Sequence, residues 1–255
     1  MEIGATLYEF RRHLGLAASD TGEDDRLLLA LEAATAHVEQ EAGRYFSPRQ
    51  ATMHHTLPAG ARELVLRGDL LELAGMACAE GDLPLGGVRL LPEVPPHTLL
   101  DWPLGMGKPA AGLIAVSGVW GWHDDWARAW RASGCALTAA ADPAAAELAV
   151  SAGDTVWEDG VTPRLQIGAL LRVGGEFLRL LAIDSLTERL TVERGAGNTT
   201  PEAHAVGASI AIYQPPRLVT TLVLRRAAWV LGEPGWLRAP SSPEAAPAAP
   251  RRAAL

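Results

Sequence analysis

The sequence predicts an α+β protein, a helical core drawn from both ends of the chain and interrupted by a small antiparallel β-barrel or sandwich insert. Three observations predict it. Residues 24–44 carry a single apolar stripe at helical spacing, a Pro-led helical run covers 215–231, and 136–213 breaks into short strand-like runs between turn residues.

Taken in order, TLYEFRRHLGL at 6–16 reads as a short helix with Leu7, Phe10 and Leu14 on one face. A polar break follows, in which Asp20 or Thr21 can cap the next helix and Glu23, Asp24 and Asp25 favour its dipole. Leu27, Leu31, Ala34, Val38 and Ala42 form the stripe of that helix, which Gly43 and Ser47-Pro48 end. From 51 to 118 the apolar runs are brief and broken by Gly and Pro, the pattern of short strands and turns. Residues 69–80 read as a strand followed by a loop, and 124–133 as a helical turn with Trp126 and Trp130 on one face. Farther on, Gly174-Gly175 between two strand-like runs is a two-residue hairpin signal, and a second turn near Asp184-Ser185 leads into RLTVER. ASIAIYQ is the last strand, Pro215-Pro216 opens the last helix, and the Pro/Ala-rich residues 235–255 lack the apolar content to form a core.

Composition narrows the function classes. The formal charge of −8 argues against a nucleic-acid reader, which needs a basic face to displace counterions. Lys108 is the only lysine among the 22 Lys and Arg. Cys78 and Cys135 have no ligand spacing and suit a reducing compartment. The amino terminus lacks a basic-then-apolar leader, and no apolar run is long enough to span a bilayer, so a cytoplasmic site of synthesis and no membrane partner are expected.

Candidate chemical motifs are thin. Gly105-Met106-Gly107-Lys108 resembles the end of a phosphate loop, but Pro109 stands where Ser or Thr is required. His54-His55 and His123-Asp124-Asp125 lack a partner ligand motif, and no GxSxG occurs, so no catalytic residue, metal or cofactor is expected. The cluster Trp120, Trp122, Trp126 and Trp130 fits a core or a subunit interface better than a stacking platform for sugars or bases. Arg217, Arg225 and Arg226 on the last helix read either as ordinary surface charge or as partners for acids on a neighbouring subunit.

Order and wording together carry a resemblance. LYEFRRHLGL, then DDRLLLALEAATAHVEQEAGRYF, then IAVSGVWGW at 114–122 and YQPPRLVTTLVLRRAAWVL at 213–231 resemble the head–tail connector (adaptor) proteins of long-tailed bacteriophages. That family joins the last two phrases directly, whereas here 136–213 lies between them. LTVERGAGNTTPEAHAVGASIAIY within it resembles stretches of other phage structural proteins. The resemblance implies a connector core at 1–135 completed by a helix at 214–234, a β-rich insert at 136–213 and a tail at 235–255. It implies a homo-oligomeric ring, commonly of twelve, under the portal protein in the neck of the virion, assembled in the host cytoplasm. Such a ring extends the channel for double-stranded DNA without binding it specifically, and it docks a head-completion (stopper) or tail-terminator protein. The four tryptophans and Arg217, Arg225 and Arg226 are then ring or portal contacts, and the tail ending in Arg251-Arg252 folds onto the portal. The alternative expectation is a tail- or baseplate-associated binding module whose β insert recognises carbohydrate or receptor.

Overall fold

The computed structural model describes residues 4–17, 21–104, 109–151 and 155–232. Three helices form one layer. Helix α1 (Leu7–Leu14) starts at a reciprocal capping box, in which Thr6 accepts from the Glu9 N–H and Glu9 accepts from the Thr6 N–H. Helix α2 (Asp24–Ala42) begins after Glu23 and ends where Gly43, at φ 61, turns left-handed and donates to Gln40 and Glu39 carbonyls. Helix α3 (Arg217–Gly232) follows Pro215-Pro216. Leu7, Phe10, Leu27, Leu31, Val219 and Val223 belong to the apolar cluster that these helices share. The buried Thr35 hydroxyl accepts from the Gly4 N–H, and Thr220 donates to the Gly4 carbonyl, so the segment before α1 is tied to both long helices.

Residues 49–120 build the first sheet: β1 (Arg49–Leu57), β2 (Glu63–Cys78), β3 (Gly81–Asp82), β4 (Arg89–Leu91), β5 (His97–Asp101) and β6 (Gly112–Trp120). The order is β1-β6-β2-β5-β4, with β3 folded back on the end of β2. Strand β6 alternates, turning Ile114, Val116 and Trp120 into a core that also holds Leu57, Leu70 and Leu100. Irregularities after Val65, Leu70 and Leu73 bend β2, so its first part pairs with β5 and its later part with β6. Gly118 is obligatory here: a Cβ at that position would lie 2.1 Å from the Glu72 carbonyl oxygen.

The second sheet spans β7 (Trp130–Ala136), β8 (Glu147–Ala149), β9 (Leu170–Val173), β10 (Glu176–Asp184), β11 (Arg189–Glu193) and β12 (Ser209–Tyr213), in the order β7-β12-β9-β10-β11-β8. Its two ends meet. Leu137 bridges Val150, Thr138 donates to the Ala149 carbonyl at 2.9 Å and Ser151 to the Ala136 carbonyl at 2.9 Å. The sheet is therefore a closed antiparallel barrel in which the chain leaving β7 hydrogen-bonds to the end of β8. Leu148, Leu171, Leu178, Leu180, Leu190 and Ile210 are among the side chains that fill it. Gly174, at φ 60, makes the two-residue turn between β9 and β10.

The expected fold class, a helical core with a small β insert, is thus corrected. Most of the regular structure is strand, in two six-stranded antiparallel sheets, and the helices are one layer beside them. The reason lies in 49–120, whose brief apolar runs pair into a sheet with an apolar core of its own. Two local readings change with it. Residues 69–80 continue one strand as far as Cys78, and 124–133 contain only a 3-10 turn at Trp126–Arg128 before β7 begins at Trp130. Asp20, the Gly105–Lys108 loop and the tail with Arg251 and Arg252 lie outside the described residues.

Candidate interface surfaces

The helical layer, the first sheet and the barrel meet at residues 122–130 and 213–214. The Asp125 N–H donates to Nδ1 of the buried His123 at 2.9 Å, so Nε2 carries the proton and donates to the Gln214 carbonyl at 2.8 Å. Tyr213 donates its hydroxyl to the Phe46 carbonyl at 2.8 Å, and Trp126 donates Nε1 to Glu72 at 3.1 Å. Trp130 pairs with Tyr213 across the first and last barrel strands, and the Gln214 N–H donates to the Ala129 carbonyl at 2.7 Å. The chain therefore enters and leaves the barrel at one place.

This joint explains the tryptophans. Trp120 is 1% exposed, stacks on His55 and donates Nε1 to the Ala51 carbonyl, so it is sealed in the first sheet. Trp122 lies edge-on to Phe46 at 5.8 Å and packs against the helical cluster. Trp126 and Trp130 contact each other and Tyr213, filling the seam between first sheet and barrel, where Leu71 also packs. The structure thus brings Trp126 and Trp130 together and distributes the other two between different cores. Burial, followed by the charges of Arg67 and His54, lowers the pKa of His55.

One rim of the barrel is closed by Glu176, which is fully buried. Its carboxylate accepts from Arg194 at 2.8 and 2.7 Å, from the Gly195 and Glu202 N–H groups at 2.9 and 3.1 Å, and from His204 Nε2 at 2.7 Å. Burial alone would raise its pKa, but Arg194, the two N–H groups and His204 together outweigh it and hold it at about 2. Arg194 spends further donors on the Asp142, Ala145 and Glu202 carbonyls. The Glu176 carboxylate is satisfied internally, and the cluster clasps the 194–204 loop. Two exposed turns repeat one device: Asp159 accepts from the Thr162 hydroxyl and N–H, and Asp184 from those of Thr187. The Thr162 hydroxyl first, then the Val161 and Thr162 N–H groups, hold Asp159 down to about 2. Both turns read Asp-x-x-Thr in the sequence, which marked the turn near Asp184-Ser185 but not the one at Asp159.

The helical layer differs. Helix α3 buries Val219, Val223, Ala227 and Val230 and turns Leu218, Leu222 and Trp229 outward, 67%, 44% and 51% exposed. Arg217 and Arg225 are exposed on the same helix, and the Arg226 guanidinium covers the Trp229 ring at 4.1 Å. Leu222, Arg225, Arg226 and Trp229 face Val38 and Phe46 across a groove of about 500 Å³. A second, polar cleft of about 360 Å³ lies between α2 and the barrel, where Arg179 is held by Glu193 at 3.4 Å and Glu32 at 3.8 Å. In the barrel, Trp157 has its ring covered by the Arg131 guanidinium at 3.4 Å, so it offers no open stacking platform on that side.

Among the described residues no three His, Cys, Asp or Glu side chains converge as a metal site would require, and no helix is long and apolar enough to cross a membrane. No protein-family model, no curated protein and no solved structure matches the chain.

Proposed function

We propose that this chain is a structural ring subunit of the phage neck, a head–tail connector that sits under the portal, continues the DNA channel and docks the next neck or tail protein. The observation that carries the reading is the junction at 123–130 and 213–214. The connector proteins that the sequence resembles run from the VSGVWGW phrase directly into the Pro-led last helix. Here His123 is hydrogen-bonded to Gln214, so the same two phrases adjoin in space although a whole barrel separates them in sequence. Helices α1 and α2, the other two stretches that carry the resemblance, share one apolar cluster with α3.

Two physical features favour a structural role. The buried ionic clusters are paired within the chain, and Leu218, Leu222 and Trp229 form an exposed apolar stripe on helix α3. A net charge of −8 suits a lumen that lets DNA pass without gripping it. The reading is tested by mixing the purified full chain with its portal protein and imaging the product. Rings of identical subunits stacked on the portal are expected; a chain that neither forms rings nor co-migrates with the portal refutes it.

A further inference from the structure

Helices α2 and α3 carry exposed opposite charges that have no ion-pair partner among the described residues. On α2 the other acids are partnered: Asp24 by Arg11, Glu32 by Arg179, Glu39 by Arg49 and Glu41 by His37. Asp25 is exposed and has no ion-pair partner among the described residues. On α3 there is no acid at all, and Arg217 and Arg225 are exposed without an ion-pair partner among the described residues. Each charge lies on an apolar outer stripe. Leu218, Leu222, Arg225 and Trp229 recur at intervals of four, three and four residues, the spacing of a helix–helix seam. Asp25, Leu29 and Ala33 lie on the first half of α2 away from its buried face, where Leu29 is 52% exposed and Ala33 allows close approach. Ala36, farther along, lines the polar cleft toward the barrel.

The α3 stripe borders the groove that Leu222, Arg225 and Trp229 share with Val38 and Glu41 near the end of α2, whereas Asp25 and Leu29 lie at the start of α2, so the two surfaces are separate. A surface and its complement at separate places on one molecule make a head-to-tail contact, which closes into a ring when its rotation allows. We infer that the outer face of α3 docks on the outer face of α2 in a second copy of this chain, with Arg225 of one copy paired to Asp25 of the next. An antiparallel crossing that seats this pair sets Leu222 beside Leu29 and Leu218 beside Ala33, since both helices advance about 1.5 Å per residue. The inference rests on the ring reading above and names the surface that makes the ring.

The test uses the full chain, alone and with its portal, with assembly measured by sedimentation velocity and mass photometry. Arg225→Glu sets Glu against Asp25, and Asp25→Arg sets Arg against Arg225, so each variant alone should need at least about tenfold more protein to assemble. An equimolar mixture restores an opposite pair at every contact and should assemble as the wild type does. Leu222→Ser removes apolar burial without touching charge and should weaken assembly in the same assay. All these positions are exposed, and unchanged circular dichroism verifies that the variants fold. If wild-type rings form and the charge variants assemble equally well, or the mixture is no better than either alone, the surface is wrong while the ring reading stands. If the wild type forms no ring with or without portal, both fall.

Discussion

In the barrel, strands hydrogen-bond around a closed circuit, and the most deeply buried charge, Glu176, is answered by Arg194, His204 and two backbone N–H groups of the same chain. In the helical layer, α2 and α3 bury one face each and leave Leu29, Leu218, Leu222 and Trp229 exposed, with Asp25 and Arg225 in no ion pair among the described residues. One region meets its own strand ends and buried charge within a single chain, while the other keeps an exposed apolar stripe. A closed barrel removes its sheet edges as sites of association. A helix with a second apolar stripe still has surface to bury. Stability and assembly should therefore separate between the two regions, and substitutions can expose that separation.

The largest expected effect is in the barrel. Glu176→Ala leaves the Arg194 charge and two buried N–H groups without their acceptor, and should cost about 3–5 kcal/mol in urea unfolding. A cost below about 1 kcal/mol would break the contrast. Acid sharpens it. The folded-state pKa of about 2 lies below the ordinary 4.5, so the Glu176 contribution is fully present above about pH 4.5 and is lost as the pH falls through about 2. In Glu176→Gln the fall in unfolding free energy over that window should be shallower, with Asp159 and Asp184, also held low, keeping a residual slope.

At the joint, Tyr213→Phe removes the hydroxyl donated to the Phe46 carbonyl and should cost about 1 kcal/mol in the same assay, intermediate between the two regions. The smallest effect belongs to the outer helix face. Leu222→Ser should leave the unfolding free energy of the dilute monomer within about 0.5 kcal/mol, whatever it does to assembly. A large monomer loss there would mean that α3 supports the fold through that face.

How much of this was legible depended on how far each signal reached. Helix α2 announces itself through Leu27, Leu31, Ala34 and Val38, and the Gly174-Gly175 turn through two flanking apolar runs, because both are local patterns. The predominance of strand was hidden. Long helical stripes outweigh short strands in a sequence, and β2 is broken by bulges that blur its alternation, so residues 69–80 read as strand then loop. Barrel closure depends on Leu137 meeting Val150, which no local pattern records. The tryptophans were half legible. Ile114, Val116 and Trp120 alternate, which marks Trp120 as core, yet only the path of the chain reveals that Trp126 and Trp130 fill a seam between two sheets. Glu176 was missed because its partners, Arg194 and His204, gather only when the loop folds back over it.

The meeting of Ala129 with Gln214 has a consequence for how the molecule folds. The entropic cost of closing a loop rises by about 0.6 kcal/mol with each doubling of its length, and the chain between those two residues is long. Once the barrel has formed, its two ends are already together, and the search that brings α3 back to α2 becomes a search over a few residues. A barrel that folds early thus acts as a clamp on the frame. A chain whose barrel is slow to close should show α3 docking late, with the apolar faces of α2 and α3 open to other chains in the meantime.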